Sequence, residues 1–349
     1  MQKKFIRQFQ PEFDESDSKA VAKVVDSGWT SEGKLTRAFE EKVARIMGYR
    51  YGVACCNGTV ALSLAMMADG ITNNDRIIVP DFTFIATANA VAMIGGKALF
   101  ADIKESDFGL EYKSASSIIK RRPARGIIPV HLNGRSAIRK QTFVPDGVIA
   151  DSAQALGSRL KVKAPIATLS FAPNKLITSA QGGMVLTDEI SIMQQVRRLK
   201  DHGRLDKKDF HPQVGFDYKF SDLQAALGLS QLEKLPNRIA HKRRICQMYQ
   251  EELKDVKDLT VCGASKGELL WCQDVLTKHR DLLMARLLKA GIETRAFYKP
   301  LHTQPCYQTE GSFPVASKIS SMGLWLPSGP SLTETEVLTV CRKVREALK

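Results

Sequence analysis

Gly147-Val148-Ile149-Ala150-Asp151-Ser152-Ala153-Gln154 and Ile166-Ala167-Thr168-Leu169-Ser170-Phe171-Ala172-Pro173-Asn174-Lys175 decide how this chain reads. Each begins as an apolar, β-rich run and ends in polar residues, so each predicts a buried strand that delivers chemistry at its carboxyl end. Further strand-like runs lie at 51–55, 76–80, 98–102, 126–130, 148–151, 167–171 and 184–187. Helical spacing recurs at 16–27, 35–47, 60–67, 85–93 and 190–200. The alternation predicts an α/β domain with a mainly parallel sheet, of the seven-stranded type, flanked by helices. In such sheets ligands sit beyond the carboxyl ends of the strands, where Asn57, Asp151 and Ser170 fall.

Toward the C-terminus the pattern changes. Ser221 caps a helix running to 235, Pro236 interrupts it, and a second helix follows over 237–253. A strand near 269–277, a helix over 281–290 and a last helix over 334–348 read as a smaller α+β domain. The expected division is therefore 1–235, a large domain with an N-terminal helical segment, and 236–349, a small domain.

Composition narrows the function classes. With 44% hydrophobic and 25% charged residues over 349 positions, this is an ordinary globular chain. No apolar run reaches the ~18 residues of a membrane span, and residues 1–8 lack the apolar core of a signal peptide. Seven cysteines without a C-x-x-C pair fit a reducing cytoplasm, with no disulfide framework and no metal site. The net charge of +14 fits either a solvated basic surface or an anionic ligand. Its clusters at 120–122, 207–208 and 241–244 are short and carry no nucleic-acid-binding motif.

An acid and a lysine 24 positions apart, both at strand ends, suit pyridoxal 5'-phosphate. That cofactor takes a lysine for its Schiff base and a carboxylate against its pyridinium nitrogen. The small-residue turn Cys56-Asn57-Gly58-Thr59, between a strand and a helix, is suited to its phosphate.

Ten stretches then carry a resemblance in order along nearly the whole chain: 27–30, 57–59, 79–89, 129–134, 151–154, 170–175, 181–183, 215–219, 223–226 and 300–302. Together they resemble the DegT/DnrJ/StrS sugar aminotransferases, which are fold-type I pyridoxal phosphate enzymes. The resemblance implies that Lys175 holds the cofactor and shuttles the proton, and that Asp151 keeps the pyridine nitrogen protonated. It implies that Phe84 stacks on the ring, Gln154 bonds the phenolic oxygen region, and Gly58, Thr59 and Ser170 serve the phosphate. For these positions the plain alternatives are a surface lysine, a helix cap, a core aromatic and ordinary turn residues.

By the same resemblance, Trp29, Arg204, Lys219, Tyr298 and His302 are candidates for the sugar and its diphosphate, with a packed or surface histidine the alternative for His302. The segment 215–219 is expected to enter the neighbouring subunit's site, which implies a homodimer with shared active sites. The implied reaction moves an amino group from an amino acid, L-glutamate foremost, onto a nucleotide-linked keto sugar for polysaccharide or specialised sugar biosynthesis. A free keto-cyclitol acceptor is the alternative. A dehydratase relative would carry histidine at 175, and a non-catalytic regulator would not need Asp151 with Lys175.

The chain also departs from the family pattern. Asp217 stands where an asparagine is common, and is expected to turn away from a phosphate or to pair with Lys219. The stretch 134–151 is short, Ala150 replaces an acidic neighbour, and 158–169 lack a common Gly-Asp-Ile-Gly.

Overall fold

The computed structural model describes residues 5–138, 147–205, 209–307, 309 and 311–349. The basic pair 207–208 and residues 139–146 of the shortened stretch 134–151 lie outside the described residues. The first sheet contains β1 Tyr51–Cys55, β2 Arg76–Pro80, β3 Lys97–Ala101, β4 Gly126–Ile127, β5 Gly147–Asp151, β6 Ile166–Ser170 and β7 Gly183–Thr187. Its order is β1-β7-β6-β5-β4-β2-β3. Only β7 runs against its neighbours, β1 and β6; the other pairs are parallel. The expected mainly parallel α/β sheet is thus present.

Helices α1 Glu15–Asp26, α2 Lys34–Met47, α3 Gly58–Ala68, α4 Ala86–Met93, α5 Tyr112–Arg121, α6 Ile190–Lys200 and α7 Asp222–Glu233 surround it. Every residue of α3 from Val60 to Met66 is buried, because the helix lies on β6 and β7 with α4 and α6 packed beside it. A helix so enclosed is apolar on all sides, which explains why its sequence shows no amphipathic stripe. Its N-terminus is thereby held rigidly at the carboxyl end of the sheet.

β1 is an edge strand, and its outward backbone groups need partners. A buried ion pair supplies them: the Ala54 amide donates to Glu40 Oε1 at 2.8 Å, and Lys200 Nζ donates to the Ala54 carbonyl at 2.6 Å. Arg37 and Arg197 each reach Glu40 Oε2 at 2.8 Å, completing its coordination. The strand leading into the Asn57-Gly58-Thr59 turn is anchored by this network.

The second sheet has the order β10-β11-β9-β8, all antiparallel, from β8 Thr260–Val261, β9 Asp274–Leu276, β10 Arg295–Ala296 and β11 Gly323–Trp325. Helices α8 Leu235–Leu253, α9 Arg280–Lys289, α10 Pro314–Met322 and α11 Glu334–Ala347 accompany it. We propose the division at 235/236 because the first sheet ends before residue 188 and the second begins after 259. Residues from the start of the chain also join the second part: Ile6 bridges to Ile292, and the Gln8 amide donates to Glu293.

Three local expectations change. The two expected helices are present, but the break falls at Lys234 and Pro236 sits in the first turn of α8, which needs no N–H from it. The strand expected over 126–130 stops at Ile127, since Pro129 has no amide to donate. The strand expected over 269–277 is regular only at 274–276, because the Leu269, Trp271 and Cys272 amides donate to Ser158 Oγ, the Asn133 carbonyl and Asn133 Oδ1.

Ser221 caps α7 through a capping box with Gln224. The next residue caps a different helix. The buried Asp222 carboxylate accepts from the Gly33, Leu35 and Thr36 amides and the Thr36 hydroxyl at 2.7–3.2 Å. Gly33, the N-cap of α2, has no side chain to do this. Asp222→Ala should therefore destabilise the protein by about 2 kcal/mol, read as a lower urea midpoint. An unchanged midpoint would show that water replaces the carboxylate.

Candidate active site

The carboxyl ends of β5 and β6 open into a cavity of about 580 Å³ whose wall includes Lys175, Asp151, Gln154 and Ser170. Gly58, Thr59, Phe84 and Tyr298 complete the set of expected residues there. A larger groove of about 1030 Å³, bordered by α1 and α7, shares no residue with it.

Asp151 ends β5 and is buried. Its carboxylate accepts from the Thr87 hydroxyl at 2.8 Å and the Ala153 amide at 3.1 Å, both neutral donors. Burial raises its pKa above the ordinary carboxylate value, while those donors and the charge of Lys175 pull it back. Lys175 sits in a tight turn after β6, its amide donating to the Ala172 carbonyl at 3.0 Å. Its Nζ lies 5.1 Å from the centre of the Trp271 ring. Burial pushes this amine down to about 8; Asp151 and Cys272 oppose the shift and Arg295 adds to it. Among the described residues, Asp151 and Lys175 make no direct ion pair. A buried acid and a half-buried amine thus face one cavity without neutralising each other.

The N-terminus of α3 forms another part of the wall. Asn57 caps it by accepting from the Val60 amide at 2.9 Å, and Gly58 and Thr59 lead the helix. A Cβ on Gly58 would come within 2.9 Å of Ser170 Cβ, so only glycine lets β6 and the helix approach so closely. Leading amides, the helix dipole and the Ser170 hydroxyl together make an anion cup. Phe84 is not core: it is 49% exposed, 5.6 Å from Tyr298 between ring centres. Gln154 accepts from the Asn133 amide at 2.6 Å and donates to the Tyr298 hydroxyl at 3.0 Å.

The other expected sugar contacts are not brought to this cavity within one chain. Trp29, Arg204 and Lys219 line a separate cleft of about 790 Å³. There Arg204 pairs with Asp201 at 2.6 Å, and Lys219 lies 3.8 Å from Asp217, which is the pairing expected for that departure. His302 takes the packed alternative: its Nδ1 is 2.6 Å from Asp81 Oδ2, and its ring stacks on Phe313.

Four residues at the site carried no assigned role in the sequence. Thr87 lies inside a motif whose order was readable, so its position was legible although its bond to Asp151 was not. Asn133, also inside a quoted motif, adopts φ 53° and ties its side chain to both backbone groups of Cys272. Trp271 and Arg295 come from the second part of the chain, where no motif pointed to them.

An amine with pKa about 8 has roughly a tenth of its population neutral at pH 7. In protein freed of bound small molecules, Lys175 should therefore react with an amine-directed acylating reagent with a half-point near pH 8, against 10.5 for an ordinary lysine. Asp151→Asn should lower that half-point, because the carboxylate stabilises the ammonium. Mass-mapped labelling rates against pH check both; a half-point above 10 would contradict the described environment.

Comparison with known proteins places this geometry. The family model described as the DegT/DnrJ/EryC1/StrS aminotransferase family matches residues 11–345. A GDP-perosamine synthase of Vibrio cholerae is 32% identical over 97% of both chains. A UDP-2-acetamido-2-deoxy-3-oxo-D-glucuronate aminotransferase of Pseudomonas aeruginosa is 30% identical, covering 92% of this chain and 93% of its own. Among solved structures, S. venezuelae DesV in complex with a ketimine intermediate superposes with a TM-score of 0.88 at 28% identity, covering 95% of this chain and 94% of its own.

Proposed function

This chain belongs to the DegT/DnrJ/EryC1/StrS aminotransferase family and is an aminotransferase, and we propose that it uses pyridoxal 5'-phosphate to aminate a nucleotide-linked keto sugar with L-glutamate as donor. The observation that carries the reading is the buried Asp151 and half-buried Lys175 facing one cavity without bonding each other, a cavity also lined by the anion cup of α3. The residues fit the cofactor on that ground. Asp151 has only neutral hydrogen-bond donors and calls for a cation, and Lys175 is a partly neutral amine.

When bound, the cofactor supplies the electron sink for moving an amino group between two carbon skeletons. Lys175 would hold it covalently and carry the proton on Nζ, a role suited to an amine poised near neutrality. Asp151 would keep the pyridine nitrogen protonated. Phe84 offers an exposed ring face, Gln154, held by the Asn133 amide, would bond the phenolic oxygen region, and Gly58, Thr59 and Ser170 would receive the phosphate. Tyr298 would face the sugar.

The nucleotide-sugar assignment draws on the GDP- and UDP-linked substrates in the names of the relatives. Incubating the protein with L-glutamate and a panel of nucleotide-linked 3-keto and 4-keto sugars, then weighing products by mass spectrometry, tests it. One sugar should gain an amino group, and UDP, dTDP or GDP should compete at millimolar levels or below. Failure of all three to compete would favour a free keto-cyclitol acceptor.

We further propose a homodimer in a reducing cytoplasm. The seven cysteines are free, and no helix of the described residues is long and apolar enough to cross a membrane. Trp29, 62% exposed, shares the cleft of Arg204 and Lys219, away from its own chain's cavity, as expected if this cleft completes a partner's site. Mixing Lys175→Ala with Lys219→Glu protein should restore part of the activity through hybrid dimers. A fully active monomer in light scattering would contradict the arrangement.

A further inference from the structure

Trp271 touches the lysine turn twice. Its indole Nε1–H donates to the carbonyl of Asn174, the residue before Lys175, at 2.7 Å. The Lys175 Nζ lies 5.1 Å from the centre of the same indole. Trp325 shows what a tryptophan that only fills the neighbouring aromatic cluster does: it is buried, and its Nε1 has no hydrogen-bond partner among the described residues. Trp271 instead directs its N–H at the turn that carries the amine. Its own backbone is fixed on both sides. The amide donates to the Asn133 carbonyl at 3.3 Å, and the carbonyl accepts from Lys242 Nζ at 2.9 Å. Lys242 is buried, has no ion pair among the described residues, and gives a further bond to the Ser328 carbonyl. An ammonium so enclosed is costly to the fold, and here one of its bonds holds Trp271. The rings of Trp325 and Phe9, at 5.8 and 6.4 Å between centres, flank the indole.

We propose that Trp271 is a positioning residue for Lys175: its N–H clamps the turn that carries the lysine, and its ring face seats Nζ whenever the amine is not bonded to the cofactor. The inference rests on the cofactor reading above. An amine that leaves one carbon and returns to it needs a resting place that is near and weak. An ion pair with Asp151 would hold the ammonium by its full charge and would compete with the pyridine nitrogen for the carboxylate. A ring face attracts an ammonium by only about 0.5–2 kcal/mol. It takes nothing from Asp151, and its hold lapses once the amine is neutral. The clamp supplies the other half. A lysine reaches its amine through a long, flexible stem, so seating Nζ has an effect only if the backbone at the root of that stem is fixed. The bond from the Lys175 amide to the Ala172 carbonyl closes the turn from within. The bond from Trp271 to the Asn174 carbonyl fixes it from the second part of the chain.

The test sets two forms of the cofactor against full-length protein freed of bound small molecules. Pyridoxal 5'-phosphate carries an aldehyde, with which the lysine amine condenses, releasing water. Pyridoxamine 5'-phosphate has the same ring and phosphate but no aldehyde, so it binds without the lysine. Trp271→Leu removes both the N–H and the ring face. It should slow capture of pyridoxal 5'-phosphate, followed as the appearance of visible colour, by about 10- to 100-fold. Its calorimetric Kd for pyridoxamine 5'-phosphate should change less than about 3-fold. Trp271→benzothienylalanine keeps the shape and the ring face and lacks only the N–H. It should slow capture by about 3- to 10-fold, the range for one hydrogen bond, and bind pyridoxamine 5'-phosphate as wild type does. This near-isosteric protein decides the matter if the leucine variant fails to fold. Equal weakening toward both forms of the cofactor would overturn the proposal, because Trp271 would then shape the cavity as a whole. Capture at the wild-type rate by the benzothienylalanine protein would also overturn it, whatever the leucine variant does. A wild-type protein that binds neither form would instead defeat the cofactor reading itself.

Discussion

Asp151 is buried at the end of β5 and Lys175 half-buried in the turn after the adjacent parallel strand β6, with no direct bond between them. Two such groups left alone are costly to the fold, since a buried charge needs a counter-charge or a neutral state. The protein meets that cost on each side separately. Neutral donors support the carboxylate, and burial brings the amine to about 8. Much of the remaining architecture serves to hold this unpaired arrangement. The enclosed helix α3 fixes the anion cup in the same cavity, the Glu40–Lys200 network anchors the edge strand that feeds the cup, and Asn133 ties the segment carrying Trp271 to Gln154.

The second part of the chain contributes more than a lid of unrelated structure. Trp271, Arg295 and Tyr298 all reach the region around Lys175 from it. The aromatic cluster of Trp271, Phe297, Tyr298 and Trp325 packs ring against ring at centroid separations of 4.8–5.8 Å. Arg135 reinforces the junction through a buried, bidentate pair with Asp274 at 2.7 and 3.0 Å. Relative motion of the two parts would therefore alter the electrostatics of the amine directly.

What the sequence revealed was local. The strand ends at Asp151 and Ser170, the turn at Asn57-Gly58-Thr59 and the helices on either side follow from hydrophobic period and small-residue signals within a few positions. What it concealed was tertiary. The Asp222 carboxylate caps a helix that begins 188 residues earlier, at Lys34. The residues 269–273 look like strand but are captured by Ser158 and Asn133. His302, polar and close in sequence to Tyr298, is spent on Asp81. Arg295 carries no local signal at all, because its importance comes from the rings that flank it and the cavity it borders. The strand β4 was overestimated for a reason the sequence did contain, the missing amide of Pro129.

The central claim is that Lys175 is the amine on which the cofactor is carried. It is tested most directly by reducing the purified holoenzyme with borohydride, digesting it, and locating the pyridoxyl-modified lysine by mass spectrometry. The account predicts one modified peptide, with the label on Lys175, and loss of the visible colour on reduction. A label on any other lysine, or a coloured protein with no covalent label after reduction, would contradict it.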